Sequence, residues 1–212
     1  MIIKIVCAGH DNFSKLYHYD EGEYLVGVDA GVDVLIKNRL PVDLAIGDFD
    51  SAKTKDLHKK CRKIISFDPD KSRSDLELAI QHVSHNSFYV DYIANKVIEN
   101  IYIYNVTGNR LDHYHAAINL LIKYTHINIK IINDRNLIYV VNSKTKFKKG
   151  KYKYVSFFPV DPDTIISLKG FKYNLENYQF KYYDTLCLSN EIVDDVAVLE
   201  TNNKKVLVIQ SN

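Results

Sequence analysis

The chain has no paired cysteines. Cys7, Cys61 and Cys187 lie far apart among its 212 residues with no C-x-x-C spacing. That argues against a disulfide framework and against a cysteine-based zinc site. Cys7 and Cys187 fall inside apolar strand-like runs and read as small buried hydrophobes. An excess of charge is lacking too, since 28 Lys and Arg face 26 Asp and Glu for a net charge of +2. Such a balance implies no general affinity for nucleic acid. No apolar stretch approaches the length of a membrane span. No cleavage pattern follows the first strand-like run, so no signal peptide is expected. Internal repeats and low-complexity segments are absent. What remains is 46% hydrophobic and 25% charged residues, the composition of a soluble globular protein. A cytoplasmic location is expected, with neither membrane nor nucleic acid as a partner.

The length allows one large domain or two modest ones. Over the first two thirds, apolar runs at 2–6, 24–28, 44–46, 63–67, 101–104, 127–132 and 137–141 read as strands. Helical patterns fall between them at 33–38, 53–61, 74–83 and 112–124. In the third of these, Leu76, Leu78, Ala79, Ile80 and Val83 make the apolar face. Strands alternating with helices predict an α/β, Rossmann-like layered domain with a mainly parallel sheet over 1–141. The stretch 84–100 is harder to place; its 90–98 portion has a helical pattern. After about residue 142 alternation dominates, with strands predicted at 151–158, 164–168, 178–182 and 185–188. Runs at 196–200 and 205–209 bracket Asn202-Asn203 and read as a hairpin. A small all-β sandwich is therefore predicted over 142–212, behind a polar, lysine-rich boundary at 142–150.

Three clusters carry the chemistry, each behind a strand-like run. In Gly47-Asp48-Phe49-Asp50-Ser51, alternation lets Asp48 and Asp50 share one cation while Phe49 faces the core. Gly47 permits a close approach or an unusual backbone angle. The competing reading is a polar turn. In the stretch from Lys71 to Glu77, Ser74 is a helix N-cap, and Glu77 completes a capping box and is assigned to structure. Asp75 stays a candidate ligand. Lys71 is either a phosphate contact or a solvated surface lysine. Gly108-Asn109-Arg110-Leu111-Asp112-His113 joins a strand end to a helix start, which aims backbone N–H groups at an anion. Arg110 adds a fork-shaped donor. His113 and His115 diverge on a helix, so packing or hydrogen bonding suits them better than metal binding. Asp29 is a further strand-end acid, suited to orienting a hydroxyl or a metal. Several carboxylates meeting Lys71 and Arg110 is the chemistry of a magnesium-bound polyphosphate.

In this order these elements resemble the thiamine pyrophosphokinase family, marked by GDFDS, a KDxTDxE-like motif, GGRxDH and, in a β domain, SNE. Here they read Gly47 to Ser51, Lys71 to Glu77, Gly108 to His113, and Ser189-Asn190-Glu191. Asp29-Ala30-Gly31 resembles the family's DGG-like strand end, and Gly170-Phe171-Lys172-Tyr173 the stretch preceding the second-domain site. Three positions depart: Ser72 stands where the family has Asp, Ser74 where it has Thr, and Asn109 where it has Gly. The resemblance implies diphosphate transfer from ATP to the hydroxyl of thiamine, giving thiamine diphosphate and AMP. It implies that Asp48, Asp50 and Asp75 hold Mg²⁺, that Lys71 and Arg110 neutralise phosphate charge, and that Asn109 and His113 meet ATP. Asp29 or Asp112 would orient or deprotonate the attacking hydroxyl. Ser189, Asn190 and Glu191 would grip the aminopyrimidine, and without tryptophan any ring stacking falls to Tyr or Phe. A homodimer with shared active sites is implied as well. Two other readings use the same residues: a Mg²⁺-dependent phosphotransferase or nucleotide hydrolase acting on another acceptor, and a non-catalytic sensor of thiamine or its diphosphate.

Overall fold

A computed structural model describes residues 1–9, 13–49, 56–68, 70, 72–84, 97–181 and 183–212. The stretch 90–96, residues 53–55, Asp50 and Lys71 lie outside them. The chain divides into two compact units, Met1–Leu120 with His126–Asp134, and Leu121–Thr125 with Arg135–Asn212.

The first unit is built on β1 (Ile2–Val6), β2 (Tyr24–Val28), β3 (Leu44–Gly47), β4 (Ile64–Ser66), β5 (Asn100–Tyr104) and β6 (Ile129–Ile132). They lie in the order β4-β3-β2-β1-β5-β6, and every neighbouring pair is parallel. The helices are α1 (Phe13–Leu16), α2 (Gly31–Lys37), α3 (Asp75–Ser84) and α4 (Leu111–Lys123). All of β2 and β3 is buried, as a parallel sheet covered on both faces requires, and this is why its strands read as continuous apolar runs. Leu76, Ala79, Ile80 and Val83 of α3 are buried, four of the five side chains expected there; Leu78 is half-buried. Phe13 meets Tyr104 edge to face with ring centroids 5.1 Å apart, beside Val6, Leu25, Val32 and Ala45. Within the expected helix at 53–61, the described part is only a 3₁₀ turn at Leu57–Lys59, entered from Asp56 at φ 57°. Leu57 of that turn is half-buried against the core that holds Cys61.

The second unit contains β7 (Asn136–Val141), β8 (Thr145–Lys148), β9 (Tyr154–Pro159), β10 (Ile165–Lys169), β11 (Leu175–Gln179), β12 (Val196–Thr201) and β13 (Val206–Ser211). β13 runs antiparallel to β7 on one side and β9 on the other. A separate four-stranded antiparallel sheet has the order β11-β10-β12-β8. Both contribute to one apolar core: Val155, Phe157, Val206 and Val208 from the first set, Phe147, Ile166, Leu168, Ala197 and Leu199 from the second. This is the sandwich expected from the alternation.

Four details differ from the sequence reading. β12 and β13 are not a hairpin, because β12 pairs with β10 and β8 while β13 pairs with β7 and β9. Asn202-Asn203 is the corner where the chain changes sheets, and the Asn202 side chain ties it to Ile165 and Asp163. The run 185–188 is a turn: the Asp184 carboxylate accepts the Leu186 N–H at 3.0 Å, and Leu188 N–H donates to the Thr185 carbonyl at 3.1 Å. Only Cys187 of that run is buried, while Leu186 and Leu188 face outward, so chemical alternation there imitated a strand. β11 begins earlier than predicted, since Leu175 pairs with Leu168 beyond an irregularity in the register. The lysine-rich stretch 142–150 holds strand β8, whose Phe147 points into the core.

Candidate active site

In the first unit the chain order turns back between β1 and β5, and ligands of open α/β sheets bind at the carboxyl ends of strands beside such a switch point. A cavity of about 720 Å³ opens there. Cys7, Ala8 and Gly9 line it after β1, Asp29 and Ala30 after β2, Asp48 after β3, and Asn105 and Val106 after β5. The start of α3 adds Arg73, Ser74 and Asp75, and the approach to α4 adds Gly108, Asn109, Arg110 and His113. Of the residues expected to act on phosphate or metal, Asp29, Asp48, Asp75, Asn109, Arg110 and His113 therefore share one cavity. Asp50 and Lys71 lie outside the described residues.

The backbone at these strand ends is unusual. Asp29, Phe49 and Asn105 adopt left-handed angles, with φ of 49°, 58° and 57°, a region costly for side chains other than Asn and Asp and concentrated at functional sites. Phe49 is half-buried and packs against the core, which leaves the preceding Asp48 on the cavity wall. At α3 the Ser74 hydroxyl accepts the Glu77 N–H at 3.3 Å, the expected N-cap, and Asp75 opens the helix half-buried. Both helix starts thus face the cavity.

Arg110 and Asp112 form a two-point pair, Nε to Oδ1 at 3.0 Å and Nη2 to Oδ2 at 2.7 Å. The hydrogen bond from Arg110 holds the Asp112 carboxyl well below the usual carboxylate range. Asp112 is not among the residues lining the cavity. The Cys7 thiol does line it, and burial, then the nearby Asp29 charge, pushes its pKa up to about 12. It remains a neutral, compact side chain on the cavity wall. Sequence reasoning took Cys7 for a core residue and passed over Arg73 and Asn105. Cys7 and Asn105 meet there because β1 lies beside β5, a long-range pairing with no local signature, whereas Arg73 comes with the start of α3.

Ser189, Asn190 and Glu191 belong to the second unit. Asn190 is 2% exposed, and its side-chain oxygen accepts the Tyr173 and Glu191 N–H groups at 3.0 and 2.9 Å while its nitrogen donates to the Tyr173 carbonyl at 2.8 Å. Ser189 is exposed at φ 56°, its N–H donating to the Ser156 hydroxyl. Lys172 pairs with Glu191 at 2.9 Å, and that hydrogen bond holds the Glu191 carboxyl below its ordinary range. The stretch 170–173 and the Ser-Asn-Glu motif are thus one assembly, with Tyr173 exposed at its edge.

Residues 17–133 match the family model for the thiamin pyrophosphokinase catalytic domain, and residues 141–206 match that for the thiamin pyrophosphokinase vitamin B1 binding domain. The chain belongs to the thiamine pyrophosphokinase family. It is 34% identical over 206 residues to the thiamine pyrophosphokinase of Bacillus subtilis (strain 168), covering 90% of this chain and 89% of the other. It is 24% identical to thiamin pyrophosphokinase 1 of Caenorhabditis elegans over 91% of this chain and 81% of that one. Among solved structures, thiamine pyrophosphokinase from Bacillus subtilis superposes with a TM-score of 0.82 at 28% identity, covering 100% of this chain and 99% of the other. That from Geobacillus thermodenitrificans gives 0.81 at 29%, covering 100% and 98%.

Thiamine pyrophosphokinases are ATP-dependent and generally use Mg²⁺. Among the described residues no group of three His, Cys, Asp or Glu meets closely enough to hold a metal unaided. Mg²⁺ rarely needs such a cage. It is usually held by one or two carboxylates, waters and the phosphates of its substrate. Asp29, Asp48 and Asp75 supply hard oxygen donors to the lining of a cavity large enough for a nucleotide, so the donor set suits a metal arriving with ATP. Among the described residues, no helix is long and apolar enough to cross a membrane.

Proposed function

We propose that the protein transfers the diphosphate of ATP to the hydroxyl of thiamine, releasing thiamine diphosphate and AMP. The observation that carries this reading is the shared cavity lined by Asp29, Asp48, Asp75, Arg110 and His113, in a chain matched by both thiamin pyrophosphokinase models. The attacking hydroxyl oxygen bonds the β-phosphorus, its bridge to the α-phosphate breaks, and AMP leaves. Bound Mg²⁺ would screen the triphosphate charge, held by Asp48 and Asp75 with Asp50. Arg110 and Lys71 would neutralise charge on the transferred and leaving groups. Asn109 and His113 would contact ATP, assisted by the N-terminal N–H groups of α4.

The geometry supports Asp29 over Asp112 as the group that orients the thiamine hydroxyl and takes its proton. Asp29 lines the cavity, whereas Asp112 stands outside it, bound to Arg110 and weakened as a base. Asp112 is better suited to hold the Arg110 guanidinium at the rim. The α/β region, 1–141, would carry ATP and metal, and the β region, 142–212, would carry thiamine through Ser189 and Glu191. We further infer a cytoplasmic homodimer with shared active sites. The exposed Tyr173, Leu186, Leu188 and Val193 of the β region are apolar surface that a second copy would cover.

The test is incubation of the protein with thiamine, ATP and Mg²⁺, with nucleotides and thiamine esters separated by chromatography. AMP and thiamine diphosphate are expected in equal amounts. ADP with thiamine monophosphate would mean attack at the γ-phosphorus, and thiamine binding without turnover would mean a sensor. In the same assay Asp29→Asn is expected to lower kcat about 100-fold or more, and Asp112→Asn by far less.

A further inference from the structure

β2 and β3 run parallel with Val28 opposite Ile46, which brings the next residues, Asp29 and Gly47, side by side. The Asp29 N–H donates to the Ile46 carbonyl at 3.0 Å, and on the other side the Gly47 carbonyl accepts the Phe67 N–H at 3.1 Å. Ile46 and Gly47 are therefore held one from each side. Its φ is 150°, outside the range most side chains accept. A β-carbon on Gly47 would overlap the Asp29 Oδ1 atom and lie 2.8 Å from its Cγ. The Asp29 carboxylate thus occupies the space that a side chain at position 47 would fill. From there it shares the cavity wall with Asp48, the residue that follows Gly47.

We propose that Gly47 is a positioning residue for the reaction: its missing side chain is the seat that sets the Asp29 carboxylate beside Asp48 in the cavity. The proposal deepens the assignment of Asp29 and rests on it. Strand β3 is hydrogen-bonded on both edges, so a methyl group at position 47 drives the Asp29 carboxylate from its seat, while the tight contact with the Asp29 nitrogen at 3.2 Å and the φ of 150° remain. Displacing a reacting-site group by about 1 Å can lower turnover about 100-fold.

The experiment is a double-mutant cycle on the full chain with Gly47→Ala, Asp29→Gly and the pair. Thermal unfolding and turnover are both measured. Glycine at position 29 accepts the left-handed backbone angle and removes the carboxylate. Gly47→Ala alone is expected to lower Tm by roughly 8 °C, and by measurably less when Asp29 is already glycine, the remainder being the cost of a side chain at φ 150°. Should Gly47→Ala fail to fold alone, a cooperative transition regained in the pair makes the same point. Equal shifts in both backgrounds, or no folding in either, overturn the proposal, because the Gly47 backbone and not the Asp29 carboxylate would then exclude the side chain. For turnover, Gly47→Ala is expected to match Asp29→Asn in lost kcat, and Gly47→Ala added to Asp29→Asn to lose little more. A coupled stability cycle with full turnover in Asp29→Asn would instead overturn the catalytic assignment of Asp29 and leave the packing of the two residues intact.

Discussion

Asn190 gives its side-chain amide to the backbone of Tyr173 and Glu191 and leaves 2% of its surface to solvent. Truncating it would strand buried N–H and C=O groups, each costing about 1–3 kcal/mol when left unpaired. Asn190→Ala is thus expected to lower the unfolding free energy by about 3 kcal/mol in urea titrations. Its neighbour Ser189 is exposed, and its backbone N–H rather than its hydroxyl makes the bond to Ser156. Ser189→Ala should keep stability within about 1 kcal/mol and raise KM for thiamine while KM for ATP stays put. If Ser189→Ala shifted both KM values equally, its hydroxyl would not belong to the thiamine contact. The motif Ser-Asn-Glu therefore mixes one residue that builds the surface with two that present it. The sequence shows the three letters but not this division, because which amide is buried depends on the loop carrying Tyr173.

Legibility follows how local each element's cause is. The buried strands β1, β2 and β3 and the amphipathic helices α3 and α4 were readable because apolar period and capping residues lie within a dozen positions. The strand-end acids Asp29 and Asp48 and the helix-start Asp75 were readable for the same reason, each standing at the end of such an element. Cys7 and Asn105 were not, since only the pairing of β1 with β5 brings them to one cavity. The corner between β12 and β13 failed differently: turn residues announce a reversal but not which partners the strands will take. Strand β8 was hidden by its lysines. Lys146 and Lys148 point outward on either side of the buried Phe147, and β8 ends its sheet. Lysine on such an edge blocks pairing with another molecule. Lys146→Val with Lys148→Val is expected to keep Tm near wild type and yet lower the concentration at which light scattering rises. Unchanged scattering would mean that the edge is already covered.

Both compact units hold buried or half-buried groups that resist losing a proton. In the first, burial pushes the Cys7 thiol up to about 12 and raises Tyr24 and Tyr104 further. In the second, burial pushes Cys187 and Tyr139 up to about 12. In the unfolded chain these groups ionise near their ordinary values, about 8.5 for Cys and about 10 for Tyr. Between those values and the folded ones, the native state keeps protons that the unfolded state has released. The unfolded state then binds fewer protons, so stability falls as pH rises, by up to about 1.4 kcal/mol per pH unit for each such group. The urea midpoint is accordingly expected to hold near pH 8 and drop steeply between about pH 9.5 and 11. Cys7→Ser removes one of these groups and should flatten the slope by no more than one group's share, with the largest difference above about pH 9. A flat midpoint across that window would mean that water reaches these side chains in the native state.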